Sequence, residues 1–239
     1  MPRFFKEFFA DAPFLEGDDA HHIIKSLRIR VGEDLTVCDT KGYDYHCTVT
    51  EISDGKVALQ INETVKSSTE PSTFVTLYQC LPKGDKMDSV VKQSVELGVG
   101  RIVPVLSENC VSRPDPKSLA KKCERWQRIA IEAAGQCGRG ILPEVSDCVS
   151  LKSVTKELKN FDKAFFCYEL GGKPFGGIDS TTKNVAIIIG PEGGFTKSEA
   201  ESLEQSGATV TTLGPRILRT ETAPLAALAS IMLLTDNMK

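Results

Sequence analysis

One segment constrains the fold of this chain more than any other: an apolar run that stops at a glycine loop and leads into a capped helix. Residues 186–189 are short, apolar and rich in isoleucine, as in a strand buried in a parallel sheet. Residues 190–194 read Gly-Pro-Glu-Gly-Gly, which leaves the backbone open to a ligand. Thr196 and Glu199 have the spacing of a capping box and predict a helix start. Strand, glycine loop and helix are the usual frame of a ligand site in an α/β sheet.

The glycine loop does not have the pattern of the common phosphate-binding loops. A P-loop needs Gly-Lys-Ser/Thr after four intervening residues, and those positions hold Phe195, Thr196 and Lys197 when counted from Gly190. No Gly-x-Gly-x-x-Gly follows a predicted strand, which removes the common dinucleotide fingerprint. Taken alone, the loop is equally compatible with a strand-to-helix turn that binds nothing.

A second glycine-marked segment follows one helix later. Residues 210–213 form a short strand-like run, and residues 214–223 read GPRILRTETA before a long apolar helix. The pair GPEGGF and LGPRILRTETA resembles the SPOUT superfamily of methyltransferases, and specifically its 16S ribosomal RNA uridine N3-methyltransferase family. The remaining motifs extend this resemblance along nearly the whole chain.

These further motifs occur in the order in which the family has them. LPKGDKMD at 81–88, VELGVGRIVPV at 95–105 and RWQRIAIEAAGQCGR at 125–139 are similar to blocks of the catalytic domain. PRFF at 2–5 and HHIIKSLRIRVGED at 21–34 are similar to its RNA-binding PUA-like domain. The resemblance implies an α/β fold: a SPOUT-type α/β domain with a C-terminal trefoil knot, preceded by a small PUA-like β-barrel domain. Small departures such as Gly135 and Cys137 affect none of the motif residues used below.

The pattern of the residues themselves also favours two domains. Short alternating runs between residues 31 and 61 predict strands, and helices alternate with buried strands after them. Residues 62–72, NETVKSSTEPS, are polar and end near a proline, which predicts a linker. We therefore predict a PUA-like RNA-binding β domain over residues 1–70 and a SPOUT methyltransferase domain over residues 73–239.

The distribution of charge matters more than the net charge of −3, which by itself does not favour RNA. Basic residues concentrate in residues 3–30 and again in residues 113–128. Each cluster alone is more often a solvated helix face, but the family resemblance favours RNA contacts. The predicted RNA-binding residues are Arg3, His22, Lys25, Arg28, Lys83 and Lys86.

The cysteine pattern and the apolar runs argue against a metal site and a membrane span. The eight cysteines have no Cys-x-x-Cys or paired spacing, and most have apolar neighbours, which predicts buried thiols in a reducing compartment. The longest apolar run, residues 225–234, is about half of what a bilayer requires. We predict a cytoplasmic protein with no bound metal and no membrane contact.

The family resemblance implies S-adenosylmethionine as the methyl donor, held by main-chain groups of three loops within the knot. The loops follow residues 165–167, 187–189 and 211–213. The predicted donor-binding residues are Tyr168, Glu169, Ile189, Gly190, Pro191, Glu192, Gly193, Gly194, Leu213, Gly214, Ile217, Leu218, Arg219, Thr220 and Ala223.

Methylation at N3 of uracil requires a group that removes or compensates for the N3 proton. Glu221 and Glu192 are the carboxylates closest in sequence to the donor loops, and Arg139 and Arg219 are candidates to stabilise the uracil oxyanion. These four are the predicted catalytic residues. A helix-entry salt bridge for Arg219 and a helix-dipole role for Glu221 remain open.

The predicted function is S-adenosylmethionine-dependent methylation of a specific uridine at N3 in 16S ribosomal RNA of the small ribosomal subunit. Family members are dimers, and the broad apolar face of the last helix, which includes Leu228 and Ile231, suits both a core and a homodimer interface. The alternative is a non-catalytic RNA-binding protein that retains the SPOUT fold. A nucleotide-hydrolysing enzyme is a third possibility, but a P-loop with a magnesium-holding pair is missing from the sequence.

Overall fold

A computed structural model describes residues 2–238 of the chain. The chain forms two compact units: unit 1 contains the residues up to 70 together with 134–142, and unit 2 contains 71–133 and the residues from 143 onward. The sequence prediction did not set residues 134–142 apart. The predicted domains, residues 1–70 and 73–239, remain a prediction.

Unit 1 is built on one five-stranded sheet with the order β1-β3-β4-β5-β2. Its strands are β1 (Arg3–Phe5), β2 (Phe14–Glu16), β3 (Asp34–Cys38), β4 (Tyr43–Ser53) and β5 (Lys56–Lys66). β1 and β3 pair in parallel, and the other neighbours are antiparallel. Closure of this sheet into a barrel stays a prediction. A short helix α1 (Gly17–His21) and a π-helical turn over residues 22–27 follow β2.

The predicted linker begins too early. Residues 62–66 form the end of β5 and pair with β4, where Tyr43 lies opposite Lys66. This part of the linker prediction was wrong because polar residues can continue a strand when the ladder supplies the backbone hydrogen bonds and the side chains face solvent.

Unit 2 contains a parallel eight-stranded sheet. Its order is β11-β13-β10-β12-β6-β7-β8, and β9 pairs with β7. The strands are β6 (Phe74–Cys80), β7 (Arg101–Leu106), β8 (Glu144–Val145), β9 (Val149–Ser150), β10 (Lys163–Cys167), β11 (Lys173–Pro174), β12 (Asn184–Ile189) and β13 (Thr209–Thr212). Because all of these strands run in parallel, the loops after β10, β12 and β13 leave the sheet at the same edge.

The central strands of this sheet are buried, as the sequence predicted for residues 186–189, all of which are less than 3% exposed. The helices are α2 (Lys86–Glu96), α3 (Pro116–Cys137), α4 (Leu151–Glu157), α5 (Lys197–Gln205) and α6 (Ala223–Leu234). Helix α6 packs against α2 and against strands β6 and β12 through its buried residues, which include Leu228, Ile231 and Met232.

The predicted capping box at the start of α5 is confirmed. The hydroxyl of Thr196 accepts a hydrogen bond of 3.3 Å from the backbone amide of Glu199, and the Glu199 carboxylate accepts one of 3.0 Å from the Thr196 amide. Two of the unpaired amides at the helix start are satisfied in this way. The capping box therefore fixes the direction in which the chain leaves the glycine loop.

Within residues 2–238, no helix is long and apolar enough to cross a membrane. In the same range, no group of three or more His, Cys, Asp or Glu side chains is arranged to hold a metal ion. The eight cysteines form no disulfide, and five of them are buried.

Candidate active site

A cavity of about 1310 Å³ opens at the carboxyl ends of β10, β12 and β13. Its walls are the three loops that follow these strands, together with one face of α6. Every residue that the sequence predicts to bind the donor lines this cavity: Tyr168, Glu169, Ile189, Gly190, Pro191, Glu192, Gly193, Gly194, Leu213, Gly214, Ile217, Leu218, Arg219, Thr220 and Ala223. Segments far apart in sequence meet here because the strands that carry them are neighbours. The role of these residues as donor ligands remains a prediction.

Gly194 occupies a position in the glycine loop that other residues fill only with strain. Its φ of +63° lies in the left-handed region. A Cβ at this position would also overlap the carboxylate of Glu169, which stands on the neighbouring loop. A Cβ on Gly193 would lie 3.1 Å from the Cβ of Asn109. The glycines therefore allow neighbouring segments to pack closely against the loop.

Asn109 holds the glycine loop from outside the cavity. Its side-chain amide donates to the carbonyl oxygens of Gly193 at 3.0 Å and Gly194 at 3.3 Å. The next residue back, Glu108, donates its backbone amide to the buried carboxylate of Glu199 at 2.8 Å. The sequence prediction missed Asn109 because its segment follows β7, a strand that is two places from β12 in the sheet.

Lys86 and Glu192, which line the cavity, form a charged cluster with Glu221, which does not line it. Nζ of Lys86 lies 2.8 Å from Oε1 of Glu192 and 3.3 Å from Oε2 of Glu221. The backbone amide of Lys83 donates to both oxygens of Glu192, at 3.2 and 3.3 Å. Sequence reasoning predicted Lys86 as an RNA contact and did not anticipate this cluster.

The ionisation of this cluster follows from its contacts. Burial disfavours the charged form of Glu192, but the hydrogen bonds from Lys86 and from the Lys83 amide outweigh it, so that the pKa of Glu192 is lowered. The hydrogen bond to Glu192 raises the pKa of Lys86 against an opposing effect of burial. The cluster therefore holds a carboxylate and an ammonium at neutral pH.

The predicted catalytic residues Arg219 and Glu221 precede α6. Arg219 is exposed and lines the cavity, and no carboxylate within residues 2–238 forms a salt bridge with its guanidinium. Oε2 of Glu221 is buried and lies 3.3 Å from Nζ of Lys86, its ion-pair partner. Between them, the hydroxyl of Thr220 donates to the carbonyl of Gly190 at 2.6 Å and joins two walls of the cavity.

Comparison with known proteins identifies the family. Residues 69–232 match the model of an RNA methyltransferase domain, and residues 15–62 match an RNA methyltransferase PUA domain. The chain belongs to this RNA methyltransferase family. The resemblance drawn from the sequence motifs is thereby confirmed.

Relatives of this RNA methyltransferase match along its full length. It is 34% identical to ribosomal RNA small subunit methyltransferase E of Bacillus subtilis, over 100% of this chain and 99% of the relative. A solved ribosomal RNA small subunit methyltransferase E from Neisseria gonorrhoeae, bound to S-adenosyl methionine, is 32% identical with a TM-score of 0.86, covering 98% of both chains. A solved protein of Legionella pneumophila in complex with the bound cofactor SAM is 29% identical, with a TM-score of 0.88, covering 98% of this chain and 97% of that one.

Arg139, the remaining predicted catalytic residue, belongs to unit 1 and forms a buried ion pair there. Its Nε and Nη2 lie 2.9 and 2.8 Å from the two carboxylate oxygens of Glu70, and its side chain is 5% exposed. The same carboxylate accepts the backbone amides of Gly140 and Ile141. The residues that line the cavity belong to unit 2. A catalytic role for Arg139 stays a prediction.

The predicted RNA-binding residues of unit 1 fall into two groups. His22, Lys25 and Arg28 are exposed in and directly after the π-helical turn, and Arg28 has a left-handed φ of +56°. Arg3 is instead half-buried and bonded to Asp44. An arginine in such a pair has its charge already matched, so the first three residues are better placed to meet phosphate groups.

Proposed function

We propose that this RNA methyltransferase transfers the methyl group of S-adenosylmethionine to N3 of a specific uridine in 16S ribosomal RNA. One observation carries the proposal: the glycine loop, residues 213–220 and Ala223 line one cavity at the carboxyl ends of parallel strands. The family match, the relatives named for small-subunit ribosomal RNA and the SAM-bound neighbours support it.

The cavity is large enough for S-adenosylmethionine, and its lining suits the apolar and charged parts of the donor. The cavity volume of about 1310 Å³ exceeds that of typical small-molecule sites, roughly 300 to 1,000 Å³. Leu213, Ile217 and Leu218 provide an apolar wall for the adenine, while Glu169 and Glu192 offer carboxylates to the cationic end of the donor. Gly193 and Gly194 have no side chains, so the backbone itself forms this part of the wall.

When bound, the donor supplies an electrophilic methyl group on its sulfonium. The protein must hold the uracil and remove the proton from its N3 atom. The pKa of Glu192 is lowered, so this carboxylate accepts a proton less readily. We assign the N3 proton to Glu221 because it directly follows Arg219 and Thr220, which line the cavity. Arg219, exposed at the cavity, stabilises the uracil anion. Arg139 is less suited to this role because Glu70 holds its guanidinium.

We further propose that residues 209–234 form a trefoil knot. Two features support this threading. Strand β13 pairs with β10, although β12 precedes it in sequence and lies on the other side of β10. The chain then returns so that Thr220 bonds to Gly190 at the end of β12.

We propose a homodimer as the active form. Ile217 is 81% exposed at the cavity, and Leu233 is 62% exposed near the end of α6. Large exposed apolar side chains near a site favour a covering partner, and a second copy of the chain would cover them. The first unit, with its exposed His22, Lys25 and Arg28, would contribute RNA affinity.

Binding of S-adenosylmethionine to the purified chain by calorimetry is the first test. A labelled methyl group is then transferred to small ribosomal subunits that lack the modification, and mass spectrometry of the RNA identifies the product as 3-methyluridine. Absence of donor binding would contradict the proposal. Donor-free RNA binding, with no transfer, would instead favour the non-catalytic alternative.

A further inference from the structure

Gln79 lies outside the cavity but is bonded to its walls. It is the second-last residue of β6 and stands opposite Ile189 of β12 in the sheet register. Its side chain is fully buried. The sequence motif that begins at Leu81 does not include it, and neither the donor-binding prediction nor the mechanism uses it.

The side-chain amide of Gln79 starts a hydrogen-bond chain that reaches the glycine loop. Nε2 donates to Oγ1 of Thr220 at 3.1 Å, and Thr220 donates its hydroxyl to the carbonyl of Gly190 at 2.6 Å. Nε2 also donates to the carbonyl of Cys80 at 3.0 Å. The oxygen of Thr220 thus connects the end of β6 and the end of β12 to the segment that precedes α6.

The amide of Gln79 orients the Thr220 hydroxyl. A hydroxyl has one proton, and it rotates to suit its partners. Because Nε2 already occupies the acceptor side of Oγ1, the Thr220 proton is directed to Gly190. Both Thr220 and Gly190 line the cavity, so this hydrogen bond joins two of its walls.

The other end of the Gln79 side chain is left without a bond. Oε1 is buried, and no donor within residues 2–238 bonds to it. A buried acceptor without a partner lowers stability, so Gln79 is a poor choice for stabilising the fold. An apolar side chain of similar length would fill the same space without this defect.

We propose that Gln79 is a positioning residue for the donor cavity, acting through Thr220 on Gly190. The inference rests on the proposed function, since the ligand whose affinity it controls is S-adenosylmethionine. The role of Gln79 differs from that of a lining residue because it reaches the ligand only through the walls.

The test measures donor affinity and stability separately. For Gln79→Met we expect the calorimetric Kd for S-adenosylmethionine to rise about tenfold, the scale of one lost hydrogen bond. The free energy of unfolding should stay unchanged or increase, since the orphaned acceptor is removed. Methyl transfer at saturating donor should stay near the wild-type rate, so that KM changes and kcat does not.

Two further variants test the route through Thr220. Thr220→Ser keeps both hydrogen bonds and should bind the donor more tightly than Thr220→Val does. Thr220→Val should weaken binding, and the double variant with Gln79→Met should bind no more weakly than the weaker single variant.

Gln127 provides a matched control in the same unit. Its amide is fully engaged, with Nε2 donating to Pro143 at 3.1 Å and Oε1 accepting from the Val145 amide at 2.7 Å. Gln127→Met should therefore lower stability and leave donor affinity unchanged, the opposite pattern to Gln79→Met.

Wild-type affinity in Gln79→Met would overturn the inference, and so would independent, additive losses in the double variant. Failure of the wild-type chain to bind the donor would instead contradict the proposed function. The two failures are thus distinguished by the wild-type titration.

Discussion

Lys86 and Glu192 join two motifs that are 106 residues apart, through a contact of 2.8 Å between Nζ and Oε1. Lys86 is the first residue of α2, and Glu192 is the central residue of the glycine loop. Sequence reasoning assigned the two residues to different tasks, RNA binding and catalysis. Their contact indicates that the LPKGDKMD segment helps to form the cavity, because its Lys86 neutralises the carboxylate of the glycine loop.

The pH dependence of this pair is the first prediction. The pKa of Glu192 is lowered in the folded chain. Ionised Glu192 therefore stabilises the fold at pH values above the ordinary pKa of a glutamate, about 4.3. This contribution is lost as the pH falls through the lowered pKa. Lys86→Met removes the ammonium. We expect the difference in unfolding free energy between wild type and variant to be largest near neutral pH and to shrink in acid.

Urea unfolding at several pH values measures this difference. Lys83→Met is the control, because Lys83 contacts Glu192 through its backbone amide and its side chain is exposed. A difference for Lys86→Met that is the same in acid and at neutral pH would contradict the prediction.

The second prediction concerns Gly194. Gly194→Val places a side chain at a φ of +63°, which strains the glycine loop at the cavity, and it displaces the exposed carboxylate of Glu169. We expect donor binding to be lost while the chain still folds. Gly207→Val is the control: its φ is +98°, and a Cβ there meets no atom within 4 Å, so it carries backbone strain without a clash. Calorimetry should show donor binding for Gly207→Val and none for Gly194→Val, and equal affinities would contradict the loop assignment.

Local patterns explain what the sequence predicted well. The buried run at residues 186–189 and the capping box of Thr196 and Glu199 depend on neighbours within a few positions, and both are confirmed. The other donor-binding residues were predicted from the family motifs. These residues come together only because of the order of the strands in the sheet, which the periodicity of the sequence does not give.

The contacts that the sequence did not predict depend on the order of the strands in the sheet of unit 2. Gln79 reaches Thr220 because β6 lies beside β12, and Asn109 reaches Gly193 because its loop follows the next strand, β7. Ion-pair partners could not be predicted from the sequence either. Arg3 was predicted to contact RNA, but in the structure it is paired with Asp44. A sequence gives the sign of a charge and not its partner.

The third prediction concerns RNA affinity. Lys25→Glu and Arg28→Glu reverse two exposed charges of unit 1 and should weaken binding of 16S ribosomal RNA. Each lost phosphate contact should also flatten the slope of log affinity against log salt by about one unit. Lys197→Glu is the control, because this side chain in α5 is 90% exposed and belongs to unit 2. Filter binding over a salt series measures both quantities. An unchanged slope would place the RNA surface elsewhere.

The last prediction concerns the reaction, and it rests on the positions of Arg219 and Glu221 before α6. Arg219 is exposed at the cavity without a salt bridge in residues 2–238, and the buried Oε2 of Glu221 lies 3.3 Å from Lys86. If they act on the uracil anion and its proton, Arg219→Ala and Glu221→Ala should each lower the rate of methyl transfer by ~10²-fold or more. Donor affinity should stay nearly unchanged, because neither charge is needed to hold the adenine.

Single-turnover transfer at saturating donor, on small ribosomal subunits that lack the modification, measures this effect on the chemical step. Glu201→Ala, an exposed carboxylate of α5, is the control and should react at the wild-type rate. A loss of donor affinity equal to the loss of rate would leave Arg219 with its predicted donor-binding role alone and would make Glu221 a donor ligand as well. Near wild-type rates for both variants would give Arg219 and Glu221 a structural role. Glu192 and Arg139 would then be the next residues to test. For Arg139, the ion pair with Glu70 would be the first contact to remove.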